Sequence, residues 1–359
     1  MILIGFNLSI GTPSQSFQVC LSVESGFLML QSADCKTDPC QQYNHTGFNN
    51  SQSSTFHGTP YKFYQEFAAL SWEGHRANET VGVGGLRFPS VPFLLAEYIS
   101  PIGWLHFYGD YDGVLGLSPL SPAWIAMQES GLLEENIIGL KFPSGPFDVH
   151  NIGNRDDGEL VLGGISPDFS SAPFIDLPLA DGDFASWWAT PVQGLTIVNG
   201  TDIQPYPLPK AAVAGFVSAN PFITLPSPLV QGLMNQVLPN STGVVAGFLK
   251  FPCEIRQSLA NVELSLGEGD LIWNITLSPY DYSVRIWNAP EDPDFCVLVA
   301  YPGPGDIMSF GWPLLRRFYS VFDNGRKLIR CKLLPIECFT LNQIAHSNEK
   351  TVTPKPDID

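Results

Sequence analysis

Positive charge is scarce in this sequence. Its 359 residues include 18 Lys and Arg against 35 Asp and Glu, which gives a formal net charge of −17 at pH 7. Such a surface repels the phosphates of nucleic acids and the headgroups of anionic membranes. We therefore expect no nucleic-acid partner.

Long apolar runs are also missing. No stretch approaches the ~20 consecutive apolar residues that a membrane-spanning helix needs, and no secretory signal peptide opens the chain. We expect no membrane span, and we interpret the sequence as a processed or trimmed chain. Hydrophobic residues still make up 44% of the total, which is enough to bury a large core.

Helical patterns are few. The 31 prolines and 33 glycines are spread throughout the chain, which is typical of many short strands joined by turns. We predict an all-β protein, because strand-like stretches such as QSFQVCLSV, LRFPSVPFLLA, GELVLGGIS and GDLIWNITL recur in both halves. Short helices are predicted at 123–133 and 228–238, and a turn of helix leading into a strand is predicted at 313–322.

Cysteines and glycosylation signals both indicate passage through an oxidising secretory compartment. Cys20 is flanked by apolar residues, so we expect a buried free thiol there. The spacing of the other six allows three disulfides, without fixing the pairing, and the candidate pairs are Cys35 with Cys40, Cys253 with Cys296, and Cys331 with Cys338. Seven Asn-x-Ser/Thr signals predict N-glycosylation, at Asn7, Asn44, Asn49, Asn78, Asn199, Asn240 and Asn274.

The chain contains, in this order, IGTPSQSFQV, CKTDPC, TVGVGGL, DGVLGLS, GELVLGGIS, WWATPVQGLTI and RRFYSVFD. Together these stretches resemble the pepsin-like aspartic proteases over nearly the whole chain. IGTPSQSFQV resembles the opening strand of that family, the CKTDPC loop resembles its small disulfide loop, and TVGVGGL resembles the end of its flap hairpin. DGVLGLS is similar to the family's hydrophobic DGILGL segment, and GELVLGGIS is similar to the strand that opens the second lobe. WWATPVQGLTI, the 253/296 cysteine pair and RRFYSVFD complete the series.

This resemblance implies a bilobal pepsin-like fold, with two β-rich lobes around a central cleft and a few short helices. It places an N-terminal lobe with a flap hairpin at 1–158 and a C-terminal lobe at 159–338. The polar residues 339–359 are expected to form a disordered tail. In the family, each lobe contributes one Asp-Thr/Ser-Gly loop, and the two carboxylates share a proton and together activate one water.

The corresponding loops of this chain lack those aspartates. Alignment on the flanking motifs gives SVES at 22–25, with Ser22 at the first aspartate position, and VSANP at 217–221, with Val217 at the second. No Asp-Thr-Gly or Asp-Ser-Gly occurs anywhere in the sequence. Because each acid–base group contributes about 10²–10⁴-fold to catalysis, we expect no aspartic proteolysis.

The neighbouring positions are altered too. Val23 removes a hydroxyl that in the family helps to lock the two loops together, and Glu24 stands where a glycine allows close backbone approach. Glu24 is the candidate polar group for other chemistry, acting as a base if burial raises its pKa. The alternative is that it points to solvent or to a hydrogen-bond partner. A serine hydrolase is disfavoured, because no G-x-S-x-G elbow and no histidine in a triad context is present.

Aromatic residues of the flap region suit a lid over an apolar ligand. Counting back from TVGVGGL places Phe67 where the family has a tyrosine that closes over the substrate, with Trp72 close to the tip. Ordinary hairpin packing is the alternative. The residues expected to line the ligand-binding cleft are Ser22, Glu24, Ser25, Phe67, Trp72, Tyr111, Val217, Ser218 and Asn220.

Two functions of different class fit these residues. The first is a non-proteolytic pepsin-like pseudoprotease whose rebuilt cleft binds a small molecule or a protein, similar to inactive family members, some of which inhibit secreted glycoside hydrolases. The second is a repurposed enzyme that performs cyclisation or isomerisation of a small molecule in the cleft. In both cases we expect a monomeric, secreted or vacuolar glycoprotein. We expect no metal and no cofactor, because no Cys/His spacing of the zinc type occurs.

Overall fold

The computed structural model describes residues 5–41, 45–67, 70–101, 111–143, 158–171, 173–220, 222–245, 248–286, 295–303 and 307–334. Strands dominate this part of the chain, so the predicted all-β fold is confirmed. The strands, numbered in chain order, are β1 (Gly5–Ile10), β2 (Gln15–Ser22), β3 (Leu28–Gln31), β4 (His57–Phe67), β5 (Leu70–Val83), β6 (Leu86–Pro101), β7 (Gly113–Gly116), β8 (Ile137–Lys141), β9 (Glu159–Leu162), β10 (Ile175–Pro178), β11 (Ala189–Asn199), β12 (Asp202–Pro205), β13 (Val213–Phe216), β14 (Ile223–Pro226), β15 (Gly243–Val245), β16 (Phe248–Pro252), β17 (Asn261–Glu268), β18 (Leu271–Leu277), β19 (Ser283–Ile286), β20 (Phe295–Leu298), β21 (Ala300–Gly303), β22 (Ile307–Phe310), β23 (Phe318–Asp323) and β24 (Leu328–Leu333).

The helices are short, as predicted. The α-helices are α1 (Asp38–Gln41), α2 (Pro122–Glu129), α3 (Ser227–Val237), α4 (Pro279–Tyr282) and α5 (Trp312–Leu315), and 3-10 helices occur at Asn50–Gln52, Pro167–Phe169, Gly182–Phe184, Leu238–Asn240 and Cys253–Ser258. The predictions at 123–133 and 228–238 correspond to α2 and α3, and the predicted helix-to-strand segment corresponds to α5 followed by β23.

Local sequence signals explain where α2 begins and ends. The Ser121 hydroxyl accepts a hydrogen bond from the Trp124 N–H at 3.4 Å and caps the helix, and Pro122 occupies the first turn, where no N–H partner is needed. Gly131 follows the helix with a φ of +73°, a conformation that glycine adopts without a steric penalty.

A seven-stranded sheet forms the first half of the chain, in the order β1-β2-β7-β3-β6-β5-β4. β2 and β7 run in parallel, from Val19 opposite Gly113 to Ser22 opposite Gly116. The facing ends of these two strands are buried, so the segment that follows Ser22 starts inside the protein. β4 is an edge strand, and most of its residues are exposed.

The second half contains a larger sheet in the order β18-β17-β11-β13-β22-β14-β21, with β12 paired to β11, and a four-stranded sheet in the order β15-β16-β20-β19. β13 and β22 run in parallel and end with Phe216 opposite Phe310. This parallel pair repeats the arrangement of β2 and β7. The segment after β13 is therefore placed like the segment after β2.

A five-stranded sheet, β10-β24-β23-β8-β9, contains strands from both halves of the chain. The predicted lobe boundary at 158/159 falls between its adjacent strands β8 and β9, and the lobe division itself stays a prediction. The Trp188 indole N–H also donates to the Leu117 carbonyl at 2.9 Å. Both side chains belong to one large hydrophobic cluster that draws on both halves.

Two of the candidate disulfides are formed, between Cys35 and Cys40 and between Cys253 and Cys296. The expected third disulfide, between Cys331 and Cys338, is not formed, because Cys331 is a free thiol with no exposed surface. The alternation of β24 turns the Cys331 side chain into the core, and its expected partner, Cys338, lies outside the described residues. Cys20 is buried and free, as expected.

No helix in the described part of the chain is long and apolar enough to cross a membrane. Within the same residues, His, Cys, Asp and Glu side chains do not gather in groups of three or more that could hold a metal ion.

We predict that Cys20 and Cys331 react with iodoacetamide only after unfolding. Burial raises the pKa of Cys331 to about 12 and raises the pKa of Cys20 well above its ordinary value, with a smaller contribution from the charge of Glu24. The thiolate is the reactive form, so both thiols are protected at pH 8 in the native protein. Peptide mapping of native and denatured samples checks this; a peptide that links Cys331 to Cys338 would contradict it.

Candidate functional site

The first loop, residues 22–27, joins β2 to β3 across the end of β7. The Leu117 N–H donates to the Ser22 carbonyl at 2.8 Å, and the Gly116 N–H donates to the Phe27 carbonyl at 2.9 Å. A side chain at Gly116 would collide with the Phe27 carbonyl. Glycine at this position therefore lets the loop backbone approach the strand closely.

The second loop, residues 217–222, joins β13 to β14 in the same way. The Val217 N–H donates to the Phe310 carbonyl at 3.1 Å, and the Gly311 N–H donates to the Phe222 carbonyl at 3.1 Å. A side chain at Gly311 would collide with the carbonyl of Asn220. The bonds from Gly116 to Phe27 and from Gly311 to Phe222 are equivalent, so a glycine N–H holds each loop at the end of a parallel strand pair.

The Ser218 hydroxyl connects the two loops. Its oxygen accepts a hydrogen bond from the Val23 N–H at 2.9 Å, and its proton is donated to the Leu21 carbonyl at 3.1 Å. Ser218 has no exposed surface, so water does not compete for these bonds. Val23 is also fully buried but has no hydroxyl to return the same contact.

The Glu24 carboxylate makes the return contact instead. Its Oε2 accepts a hydrogen bond from the Ser218 N–H at 2.9 Å, and its Oε1 accepts one from the Ala219 N–H at 3.0 Å. The Ser218 hydroxyl lies 3.3 Å from Oε2. The sequence analysis left open whether Glu24 acts as a base or points to solvent or to a hydrogen-bond partner. In the structure its carboxylate has hydrogen-bond partners, Ser218 and Ala219, in the opposite loop.

Burial raises the pKa of Glu24 above its ordinary value of 4.5. Hydrogen bonds from backbone N–H groups, including those of Ser218 and Ala219, act in the opposite direction because they favour the ionised carboxylate. Because the pKa is raised overall, the loss of solvation on burial outweighs the stabilisation of the carboxylate by these donors.

The other polar side chains of the loops form local bonds. The Ser22 hydroxyl accepts from the Ser25 N–H at 2.9 Å, the Ser25 hydroxyl accepts from the Phe27 N–H at 3.4 Å, and the Asn220 side chain accepts from the Phe222 N–H at 3.0 Å. Such bonds from a side chain to a nearby backbone group stabilise turns. These residues thus help to fix the loop conformations.

Val217 is 7% exposed and apolar. Pro221, the last residue of VSANP, lies outside the described residues. Glu24 consequently supplies the one carboxylate within the described residues of the two loops.

Two predicted cleft residues need correction. Trp72 is 1% exposed and packs in a hydrophobic cluster, so it belongs to the core and not to a lid. Tyr111 packs against Gly5 at the start of β1. It precedes Gly116, the partner of Ser22, by five residues, and a strand rises by about 3.3 Å per residue, so Tyr111 lies at the far end of the strand pair.

Phe67 lies where the β4–β5 hairpin turns, opposite Leu70. Its ring is partly buried against the cluster that contains Trp72, and the Trp72 indole N–H donates to the Phe67 carbonyl at 3.4 Å. Hairpin packing, the alternative that the sequence left open, therefore accounts for both aromatic residues.

A cavity of about 220 Å³ lies at the end of the first loop. Its lining includes Gly26, Phe27 and Leu28 from the loop and β3, together with Tyr61 and Arg76 from β4 and β5. None of the nine predicted cleft residues lines it. The sequence signal that could have indicated this cavity is Pro60 within β4, because proline interrupts the regular pairing of a strand.

We predict that Glu24→Ala lowers the free energy of unfolding by about 1–3 kcal/mol, since it leaves the buried N–H groups of Ser218 and Ala219 without their acceptor. Urea titrations of the parent and the variant measure this change. Glu129→Ala is the matched control, because Glu129 is exposed on α2 and should change stability by less than about 0.5 kcal/mol. Equal effects of the two substitutions would contradict the role assigned to Glu24.

The raised pKa of Glu24 sets the sign of a pH effect. Above pH 4.5 the unfolded chain loses this proton while the folded protein retains it, so stability falls as the pH rises towards the folded pKa. Glu24→Gln cannot ionise. The free energy of unfolding of the parent minus that of the variant should therefore decrease as the pH rises from 4.5, in urea titrations at several pH values. An increase would mean that the N–H donors outweigh burial.

The comparisons with known proteins agree with this geometry. A family model described as eukaryotic aspartyl protease matches residues 5–332. The vacuolar aspartic protease of Candida albicans is 27% identical over 329 residues, which cover 88% of this chain and 71% of the relative. Vacuolar protease A of Aspergillus fumigatus is 25% identical over 336 residues, covering 90% and 76%.

Pepsin A of the bat Rhinolophus ferrumequinum is 24% identical over 335 residues, which cover 90% of this chain and 78% of the relative. The family match extends through both loops and nearly all of the described strands. This chain belongs to the eukaryotic aspartyl protease family.

Proposed function

We propose that this protein is a non-proteolytic pepsin-like pseudoprotease that binds a ligand beside its rebuilt active-site loops. One observation carries the proposal: both oxygens of the Glu24 carboxylate accept backbone hydrogen bonds from the opposite loop. Ser22 and Val217 stand where the resemblance places the two catalytic aspartates. The loops therefore contain one carboxylate, and that carboxylate connects the loops to each other.

Aspartic proteolysis needs a second carboxylate. One of the pair is protonated and donates while the other takes a proton from the attacking water. The Ser22 hydroxyl is an acceptor for the Ser25 N–H, and Val217 has no polar side-chain atom. Neither group can take a proton from water in the range where aspartic proteases work.

The cavity next to Gly26 supports a binding function. Its lining is largely apolar, and it lies on the same side as the end of the first loop. A site with an apolar lining and a few polar groups at its edge is the usual form of a small-molecule site. Binding there does not require the missing carboxylates.

The raised pKa of Glu24 favours a second candidate, a repurposed enzyme of the cyclase or isomerase type. A buried carboxyl whose pKa lies above its ordinary value can act as a general acid or base. In that case Glu24 would have to exchange its bonds to Ser218 and Ala219 for a bond to substrate. This requirement makes binding without catalysis the better-supported proposal.

We place the protein in the vacuole or outside the cell. Two relatives carry vacuolar names, and the two disulfides suit an oxidising compartment.

Of the predicted glycosylation sites, four are exposed, two are half-buried and one lies outside the described residues. The exposed sites are Asn7, Asn199, Asn240 and Asn274, and the half-buried sites are Asn49 and Asn78. Asn44 lies outside the described residues. Glycosylation and the monomeric state stay predictions.

We predict that the protein cleaves no peptide between about pH 3 and pH 7, because it lacks a pair of carboxylates that share a proton. The measurement is a mass-spectrometric digest of a complex peptide mixture, with pepsin A as the positive control. Glu24→Gln is run in parallel. Cleavage by the parent that disappears in this variant would overturn the proposal and would assign water activation to Glu24.

A further inference from the structure

A bulge in the edge strand β4 forms the mouth of the 220 Å³ cavity. β4 and β5 pair regularly up to Gly58 opposite Ala77, and pairing resumes at Lys62 opposite His75. Three residues of β4, 59–61, therefore face the single residue Arg76 of β5. Such bulges bend a strand and are common beside functional sites.

Sequence chemistry explains the bulge. Pro60 has no N–H to donate to the neighbouring strand. The Thr59 hydroxyl donates instead to the Arg76 carbonyl at 2.8 Å and holds the bulge against β5. Tyr61 is left 69% exposed at the mouth. The bulge of β4 is thus fixed in place.

The inner wall of the cavity is apolar. It includes the fully buried side chains of Leu28, Phe93 and Ala123, together with the partly buried Phe27. The volume of about 220 Å³ is below the roughly 300–1,000 Å³ of sites for drug-sized molecules. It suits one aromatic ring or one branched apolar group.

The lining also contains the polar residues Thr59, Tyr61, Asn78 and Arg76, and Arg76 is the charged one among the lining residues. It is exposed, and it makes no hydrogen bond or ion pair within the described part of the chain. Two other basic side chains of the same sheet have partners: His75 Nδ1 lies 3.1 Å from Glu97 Oε2, and Arg87 donates to the Gly11 carbonyl at 2.9 Å. In a chain of net charge −17, an unpaired arginine beside an apolar cavity offers a binding position for an anion.

We propose that the cavity binds a small carboxylic acid, with its aromatic or branched apolar group against Phe27 and Phe93 and its carboxylate on Arg76. Arginine binds carboxylates through two parallel N–H donors. This inference rests on the proposed non-proteolytic binding function and specifies its ligand class. It uses no residue of the two loops except those at the end of the first.

The test compares 3-phenylpropionate with its neutral amide, 3-phenylpropanamide, by isothermal titration at pH 6.5. The parent should bind the acid about two- to fivefold more tightly than the amide, since an ion pair at an exposed arginine contributes up to about 1 kcal/mol. Arg76→Gln should remove this preference and leave amide binding within about twofold. Added salt should weaken binding of the acid and not of the amide.

Lys62→Gln is the matched control. Lys62 is an exposed cation on the same hairpin and does not line the cavity, so its substitution should preserve the preference for the acid. Equal affinities of the parent for acid and amide, a preference that survives Arg76→Gln, or binding of neither probe would each overturn the inference. None of these results alters the peptide digest, which tests the absence of proteolysis separately.

Discussion

The structure depends on how the backbone donors of the second loop are satisfied where the two loops meet. The N–H groups of Ser218 and Ala219 are placed there by the parallel pair β13 and β22, and the Glu24 carboxylate is their acceptor. In the other direction, the Ser218 hydroxyl is the acceptor for the Val23 N–H. Each loop thus completes the hydrogen bonding of the other. Because an unpaired buried N–H costs about 1–3 kcal/mol, each loop stabilises the conformation of the other.

Val23 and Glu24 have complementary effects on the contact between the loops. An apolar Val23 supplies no hydroxyl to the second loop, and a longer polar side chain at the next position reaches across in its place. The replacement introduces a buried charge, which burial disfavours and the N–H donors favour. A carboxylate that is engaged in this way on both oxygens has little capacity left to activate water. The same contact that holds the loops together therefore argues against catalysis by Glu24.

Much of the fold could be predicted from the sequence, because short stretches of sequence determine where many strands and helices begin and end. Period-two alternation and turn residues identified strands such as β2, β9 and β18, and the Pro122 start identified α2. Short motifs also located both loops. Features that depend on long-range register could not be predicted: the interior position of Cys331 follows from the alternation of β24 within its sheet, and Tyr111 is removed from the loops by the pairing of β7 with β2. The partner of the Glu24 carboxylate likewise lies 194 residues away.

The hydrogen-bonded loops and the exposed bulge of β4 lie in different places and offer a ligand different conditions. The loops at 22–25 and 217–220 are buried or half-buried, and each of their polar side chains makes a hydrogen bond, so a ligand that engages the Glu24 carboxylate there would have to displace existing hydrogen bonds. At the β4 bulge the opposite holds, because Pro60 has already removed a strand hydrogen bond and the Arg76 guanidinium makes no hydrogen bond or ion pair with another described residue. The free-energy cost of desolvating and rearranging groups on binding is consequently lower at the bulge than at the loops. In the proposed binding function, the ligand therefore occupies the bulge and leaves the hydrogen bonds between the two loops intact.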